Sequence, residues 1–95
     1  MSEQVAAIET LLADAEEAHS VYESTQLNGA YDAEWPRWYA AYAVEHGIGD
    51  LLGRALGADE LAEFLVAGWE RRQAADTPAT EPWGASTARE IAAHF

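Results

Sequence analysis

The sequence predicts an all-α protein with four main helices, arranged as two helix–loop–helix halves. Twenty-one alanines, only three prolines and few β-branched residues favour helix over strand. Apolar residues recur at spacings of three and four, which is the period of an amphipathic helix. We expect residues 1–95 to form a single domain, with halves at roughly 1–47 and 57–95 and a connector at 47–57.

The first helix is predicted over about residues 3–23. Its apolar stripe, which the spacing directs toward a core, consists of Val5, Ile8, Leu12, Ala15, His19 and Tyr22, widened by Leu11 and Ala18. Asn28-Gly29 is a strong turn signal and separates this helix from the next.

The second helix is predicted to begin between Asp32 and Pro36, because proline is tolerated only in the first turn. It is predicted to end at His46-Gly47, since glycine is the usual C-terminal stop. A connector follows that holds four of the seven glycines. We expect one helical turn there from Asp50, held to the core by leucines at 51, 52 and 56.

A third helix is predicted over about residues 58–75, a Pro/Thr-rich loop over 76–82, and a fourth helix from about 82 or 83 to the end. The second and fourth helices align without gaps at an offset of 48, which places Trp35 on Trp83 and His46 on His94. The first and third align at a larger offset, so that Ile8, Leu11, Leu12 and Ala15 fall on Leu61, Phe64, Leu65 and Gly68. This repeat predicts a pseudo-twofold axis between the halves.

Charge and composition exclude several classes of function. Seventeen acidic residues against five arginines give a net charge of −12, which repels nucleic acid and anionic membranes. The acidic surface is interpreted either as a solubility surface or as a patch that docks a basic partner. Without cysteine there is no thiol nucleophile or disulfide, and without a long apolar run we expect a cytoplasmic protein.

The second helix carries an aromatic stripe. On a helix Trp35, Trp38, Tyr39, Tyr42 and His46 share one face, while Arg37, Ala41 and Glu45 point away. Three of these aromatic residues have polar counterparts in the repeat, since 38, 39 and 42 align with Ser86, Thr87 and Glu90. The stripe is interpreted as core, as a subunit interface, or as a ligand pocket in which His19 and Tyr22 also take part.

A metal site and an active site have little support. Glu16 and His19 have the Glu-x-x-His spacing of di-metal helical bundles, and Glu90 and His94 could add two ligands. The set is incomplete, because Arg72 stands where the repeat would place a second histidine. We therefore expect no metal and no cofactor. The glycines of GIGDLLG follow no predicted strand, so they do not indicate a phosphate-binding loop, and an enzyme is not favoured.

The segments LNGAYDAEWPRWYAAYAVEHGI and EPWGASTAREIAAHF resemble small, alanine-rich, all-helical bacterial proteins of no known function. The resemblance implies no activity and transfers no functional residue. The function expected from the residues is a non-catalytic protein-interaction module that forms a homodimer through the aromatic face of the first two helices. The alternatives are an aromatic pocket for a small apolar or aromatic ligand between those helices, and a carboxylate–histidine metal-binding bundle.

Overall fold

A computed structural model describes residues 3–74 and 82–95 of the chain. These residues form five helices: α1 (Glu3–Gln26), α2 (Trp35–Glu45), α3 (Ile48–Leu52), α4 (Ala58–Ala74) and α5 (Trp83–His94). No strand occurs within the two described ranges, and the all-α fold class is confirmed. The predicted Pro/Thr-rich loop lies outside the described residues except for Pro82, which directly precedes α5.

Two of the helix pairings correspond under the internal repeat. α1 packs mainly against α5, and α2 packs mainly against α4. A twofold relation that exchanges α1 with α4 also exchanges α5 with α2, so these two pairings are equivalent. Trp35 and Trp83, which the repeat aligns, touch each other with ring centroids 6.0 Å apart at 83°. The pairing of α1 with α2 departs from this twofold relation, because its counterpart would be an equally close packing of α4 against α5, and those two helices approach each other less closely.

The core is built from the predicted apolar stripes of α1 and α4, but the buried face of α2 is Pro36, Ala40 and Ala43 rather than the predicted aromatic stripe. The largest fully buried apolar side chains are Ile8, Leu12, Ile48, Leu61 and Ile91. Buried alanines at 15, 40, 43, 62 and 88 let the helix backbones approach closely. Such a small chain has few large side chains to bury, so the partly buried aromatic rings complete the core at its edges.

Two predicted boundaries were wrong. α1 continues to Gln26, three residues beyond the predicted end, and Thr25 Oγ1 donates a hydrogen bond to Val21 O at 2.8 Å. The turn then falls at Asn28-Gly29, whose φ angles are 53° and 81°.

The connector helix begins at Ile48 rather than at Asp50. It is held to the core by Ile48, Leu56 and the partly buried Leu52, whereas Leu51 is exposed. The connector depends on Gly49, because a Cβ there would lie 2.8 Å from Arg54 O. Within the described parts of the chain, no helix combines the length and the apolar character needed to cross a bilayer.

Candidate binding groove

The aromatic stripe of α2 divides into two groups. Trp38, Tyr42 and His46 form a stacked ladder along α2, with centroid distances of 5.5 Å and 3.9 Å between successive rings. Tyr22 of α1 packs against Trp38 at 5.8 Å. We call these four residues the outer ladder. Its tryptophan and tyrosine rings are half-buried and His46 is exposed, while Arg37, Ala41 and Glu45 are exposed as predicted.

Trp35 and Tyr39 belong to a second group, because they pack against Trp83 of α5. The three pairs of rings have centroid distances between 5.4 Å and 6.0 Å and interplanar angles of 87°, 83° and 81°. Edge-to-face contacts of this kind are the favoured geometry of neighbouring aromatic rings. Three planes that are nearly perpendicular in pairs form a corner, and we call these three residues the aromatic corner.

The aromatic corner lies at a groove with a volume of about 260 Å3. The lining comes from α1, α2, α4, α5 and the loop between α1 and α2. It consists of Glu16, His19, Glu23, Tyr31, Asp32, Trp35, Tyr39, Trp69 and Trp83. The groove therefore includes three of the predicted site residues, His19, Trp35 and Tyr39.

The predicted pocket and the observed groove differ in position. Trp38 and Tyr42 are not among the described residues that line the groove, because their rings belong to the outer ladder. The groove also extends beyond α1 and α2, since Trp69 of α4 and Trp83 of α5 contribute to it. Of the rings predicted for a pocket between the first two helices, the structure places Trp35 and Tyr39 at this groove and Trp38 and Tyr42 outside its described lining.

Two aromatic side chains at the groove are unusually accessible. Tyr31 is 73% exposed and Trp69 is 40% exposed, whereas the rings of the aromatic corner are only partly exposed. Sequence reasoning missed both residues. Tyr31 lies in a loop, where periodicity gives no signal. The repeat aligns Trp69 with the charged residue Glu16, so the alignment gave no indication that Trp69 lies at a site with the aromatic residues of α2.

His19 connects α1 to the loop that forms one wall of the groove. Its Nε2 lies 2.9 Å from Asp32 Oδ2, and both side chains are buried. Its Nδ1 lies 3.9 Å from Glu23 Oε1. Asp32 Oδ1 in turn accepts a hydrogen bond from the Glu34 N–H at 2.9 Å, in the turn that leads into α2. Both ring nitrogens face carboxylates of the protein, so the ring joins the loop to α1.

The electrostatic potential in the groove is negative. Glu16, Glu23 and Asp32 contribute carboxylates, and none of the described lining residues is arginine or lysine. Burial first, and then the negative charges of Glu16 and Glu23, raise the pKa of Tyr39 from 10.0 to about 12. Burial is the larger cause, and the two carboxylates add to it because ionising the Tyr39 phenol would place another anion near them.

The weak metal candidates are placed in different surroundings. Glu16 and His19 line the groove, but Glu90 binds Arg72 at 2.9 Å and Arg71 at 3.4 Å. His94 packs against the rings of Phe64 and Phe95. In residues 3–74 and 82–95, no three His, Asp or Glu side chains are grouped so that they could hold a metal ion.

No protein-family model, curated protein or solved structure gives a match to this chain.

Proposed function

We propose that the chain is a non-catalytic binding module and that its ligand-binding surface is the aromatic groove. The observation that carries this proposal is the pair of accessible rings, Tyr31 and Trp69, beside a groove that the aromatic corner also lines. Exposed aromatic side chains around a concave surface are typical of ligand sites, where they bury area when a ligand binds. A cytoplasmic location is part of the same proposal.

A second, larger groove has acidic residues but no aromatic ring in its described lining, and so provides a comparison for the aromatic groove. It lies between α2 and α4, has a volume of about 660 Å3, and is lined by small, apolar and charged residues. Its described lining includes Val66 and four acidic side chains but no aromatic ring. Because it is acidic without being aromatic, it serves as an internal control for binding.

The test is a titration of the isotope-labelled protein followed by nuclear magnetic resonance. The probes are indole, benzoate, benzylammonium and tetramethylammonium. We expect at least one probe to shift the indole N–H signals of Trp69 and Trp83 more than that of Trp38, while the amide of Val66 stays unchanged. The variant Trp69→Ala should weaken that response, whereas Val66→Ala should not. If no probe perturbs the groove tryptophans selectively, the proposal is wrong.

A second candidate function is self-association through the outer ladder. Two observations favour it: His46 is exposed at the end of the stacked rings, and Val21, beside Tyr22 on α1, is 58% exposed. Sedimentation velocity at micromolar concentration should then detect a homodimer, and the double variant Val21→Ser, His46→Ser should shift it toward the monomer. A wild-type protein that is monomeric across the concentration range contradicts this candidate, and leaves the groove proposal unaffected.

A further inference from the structure

We infer that the ligand of the aromatic groove is an organic cation of the alkylammonium type, held by the aromatic rings that line the groove and by the carboxylate of Glu16. This inference rests on the proposed binding function and specifies the chemical class of the ligand.

The arrangement of the rings is the first argument. In the aromatic corner, Trp35, Tyr39 and Trp83 have planes that are nearly perpendicular in pairs. A flat ligand stacks on one face at a time, whereas a rounded cationic group can approach several ring faces of different orientation. The negative face of each ring attracts a cation, and this is how aromatic cages recognise quaternary ammonium groups.

The accessible rings add to the same surface. Trp69 lies on α4 and Tyr31 in the loop between α1 and α2. With the aromatic corner, the described lining of the groove therefore has five tryptophan and tyrosine rings. Of the three aromatic side chains, tryptophan binds cations best, and three of the five rings are indoles.

Charge complementarity is the second argument. Of the three carboxylates, Asp32 is occupied by His19 Nε2 and the Glu34 N–H. Glu23 Oε2 accepts a hydrogen bond from the Asp32 N–H at 3.3 Å, and its Oε1 lies 3.9 Å from His19 Nδ1, so Glu16 is the acid that faces the groove without these contacts. Glu16 and Glu23 act on the same space, since both raise the pKa of Tyr39. An anion would be repelled there, and a neutral apolar ligand would gain nothing from the two charges. A cation gains from both the rings and the carboxylates.

The size of the groove is the third argument. Pockets for complete drug-sized ligands have volumes of roughly 300–1,000 Å3. At about 260 Å3 and open to solvent, this groove suits a single head group rather than a large cofactor. The rest of the ligand would extend past Tyr31 or Trp69 into solvent.

The experiment compares choline with its neutral carbon isostere, 3,3-dimethyl-1-butanol, in the resonance titration described above. We expect choline to shift the signals of Trp69 and Trp83 and the isostere to bind at least about fivefold more weakly, which corresponds to a cation–π contribution of an exposed site. Equal binding of the two compounds would overturn the cation assignment while leaving the binding module intact. Failure of every probe, neutral or charged, would overturn both.

Matched variants test the two parts of the site. Glu16→Gln should weaken choline binding about fivefold, whereas Glu17→Gln, an adjacent exposed acid outside the described lining, should not change it. Trp69→Leu should weaken binding and Trp69→Phe should retain most of it, because phenylalanine keeps a ring face. Circular dichroism of each variant checks the fold. If Glu16→Gln and Glu17→Gln bind choline equally, Glu16 has no part in the site and the inference is wrong as stated.

A trimethyl-lysine peptide and the same peptide with alanine at that position distinguish the source of the cation. Tighter binding of the methylated peptide than of choline indicates a modified side chain of a protein partner. Tighter binding of choline indicates a free metabolite. Equal binding of the methylated and alanine peptides, with no binding of choline, overturns the inference.

Discussion

The two halves of the molecule use the same position for different chemistry. His19 on α1 contacts the rings of Trp38 and Tyr39 on α2. In the second half, the repeat places Arg72 of α4 at the position of His19, and Arg72 Nη2 donates to Ser86, Thr87 and Glu90 of α5. Ser86 and Thr87 are the aligned counterparts of Trp38 and Tyr39. One helix pairing is thus completed by aromatic contacts and the other by an arginine with its acceptors.

The difference determines where the protein has open space. Arg72 forms an ion pair with Glu90. Together with Phe64 and Thr87 it fills the space between the described residues of α4 and α5, so that no cavity remains there. In the first half, His19 is turned toward Asp32 of the loop, and a groove of about 260 Å3 lies beside it. The arginine and its acceptors thus fill the space between α4 and α5, whereas the aromatic contacts between α1 and α2 leave an open groove beside them.

The largest expected effect comes from removing the connection of the first half. His19→Ala should lower the free energy of unfolding by about 3 kcal/mol, because it leaves the buried carboxylate of Asp32 without its partner and creates a cavity beside Tyr39. Urea unfolding measures this change. The control His46→Ala removes an exposed ring and should cost less than about 1 kcal/mol. Equal effects of the two variants would contradict the structural role given to His19.

The matching change in the second half should have a smaller effect. Arg72→Ala should lower the free energy of unfolding by about 1.5 kcal/mol, because three hydrogen bonds are lost but Glu90 can turn toward water. The same urea experiment measures it, with an unchanged m-value as the sign that the fold is kept. A cost larger than that of His19→Ala would reverse the comparison between the halves.

The pH dependence of stability offers a third test, specific to the first half. The pKa of Tyr39 in the folded protein is about 12, above its ordinary value of 10.0, so folding favours the protonated phenol. The contribution is complete below pH 10 and is lost as the pH rises toward 12, by about 1 kcal/mol after solvent screening.

Alkaline unfolding curves of the wild type and Tyr39→Phe should therefore converge or cross in this interval. The aligned Thr87 has no group that titrates there, so Thr87→Val is the matched control and should leave the slope of stability against pH unchanged. A slope in Tyr39→Phe identical to that of the wild type would contradict the prediction.

The smallest expected effect on stability is that of replacing Arg71, which shares the carboxylate of Glu90 with Arg72. Arg71 Nη2 lies 3.4 Å from Glu90 Oε1, but Arg71 is more exposed than Arg72. Arg71→Ala should change the free energy of unfolding by less than about 0.5 kcal/mol, because exposed ion pairs are weak and screened by salt. A cost equal to that of Arg72→Ala would show that the contacts of Arg72 with Ser86 and Thr87 contribute little.

Much of the fold could be predicted from the sequence because helices are governed by local periodicity. The stripe through Ile8, Leu12 and Ala15 predicted the buried face of α1, and Gly47 marked the end of α2 within one or two residues. The end of α1 was placed too early, because Ser24, Thr25 and Gln26 carry no strong helix signal of their own. Their helical state follows from continuing the packed helix up to the Asn28-Gly29 turn.

The site could be predicted only in part. His19, Trp35 and Tyr39 were identified because they lie on helical stripes. Tyr31 and Asp32 lie in the loop before α2, where periodicity gives no signal. Trp69 lies on α4, and its distance along the chain from α2 hides its proximity to the groove.

The sequence by itself determined the helices, the buried faces of α1 and α4, the negative charge and the repeat, because each depends on residue type and on spacing within one segment. Only the tertiary structure decided how the aromatic residues were divided. The stripe of α2 presents all its rings on one face, but packing against α1 directs Trp38 into the outer ladder and packing against α5 directs Trp35 into the aromatic corner. Which ring lies beside an open space depends on the neighbouring helices, and that information is not local.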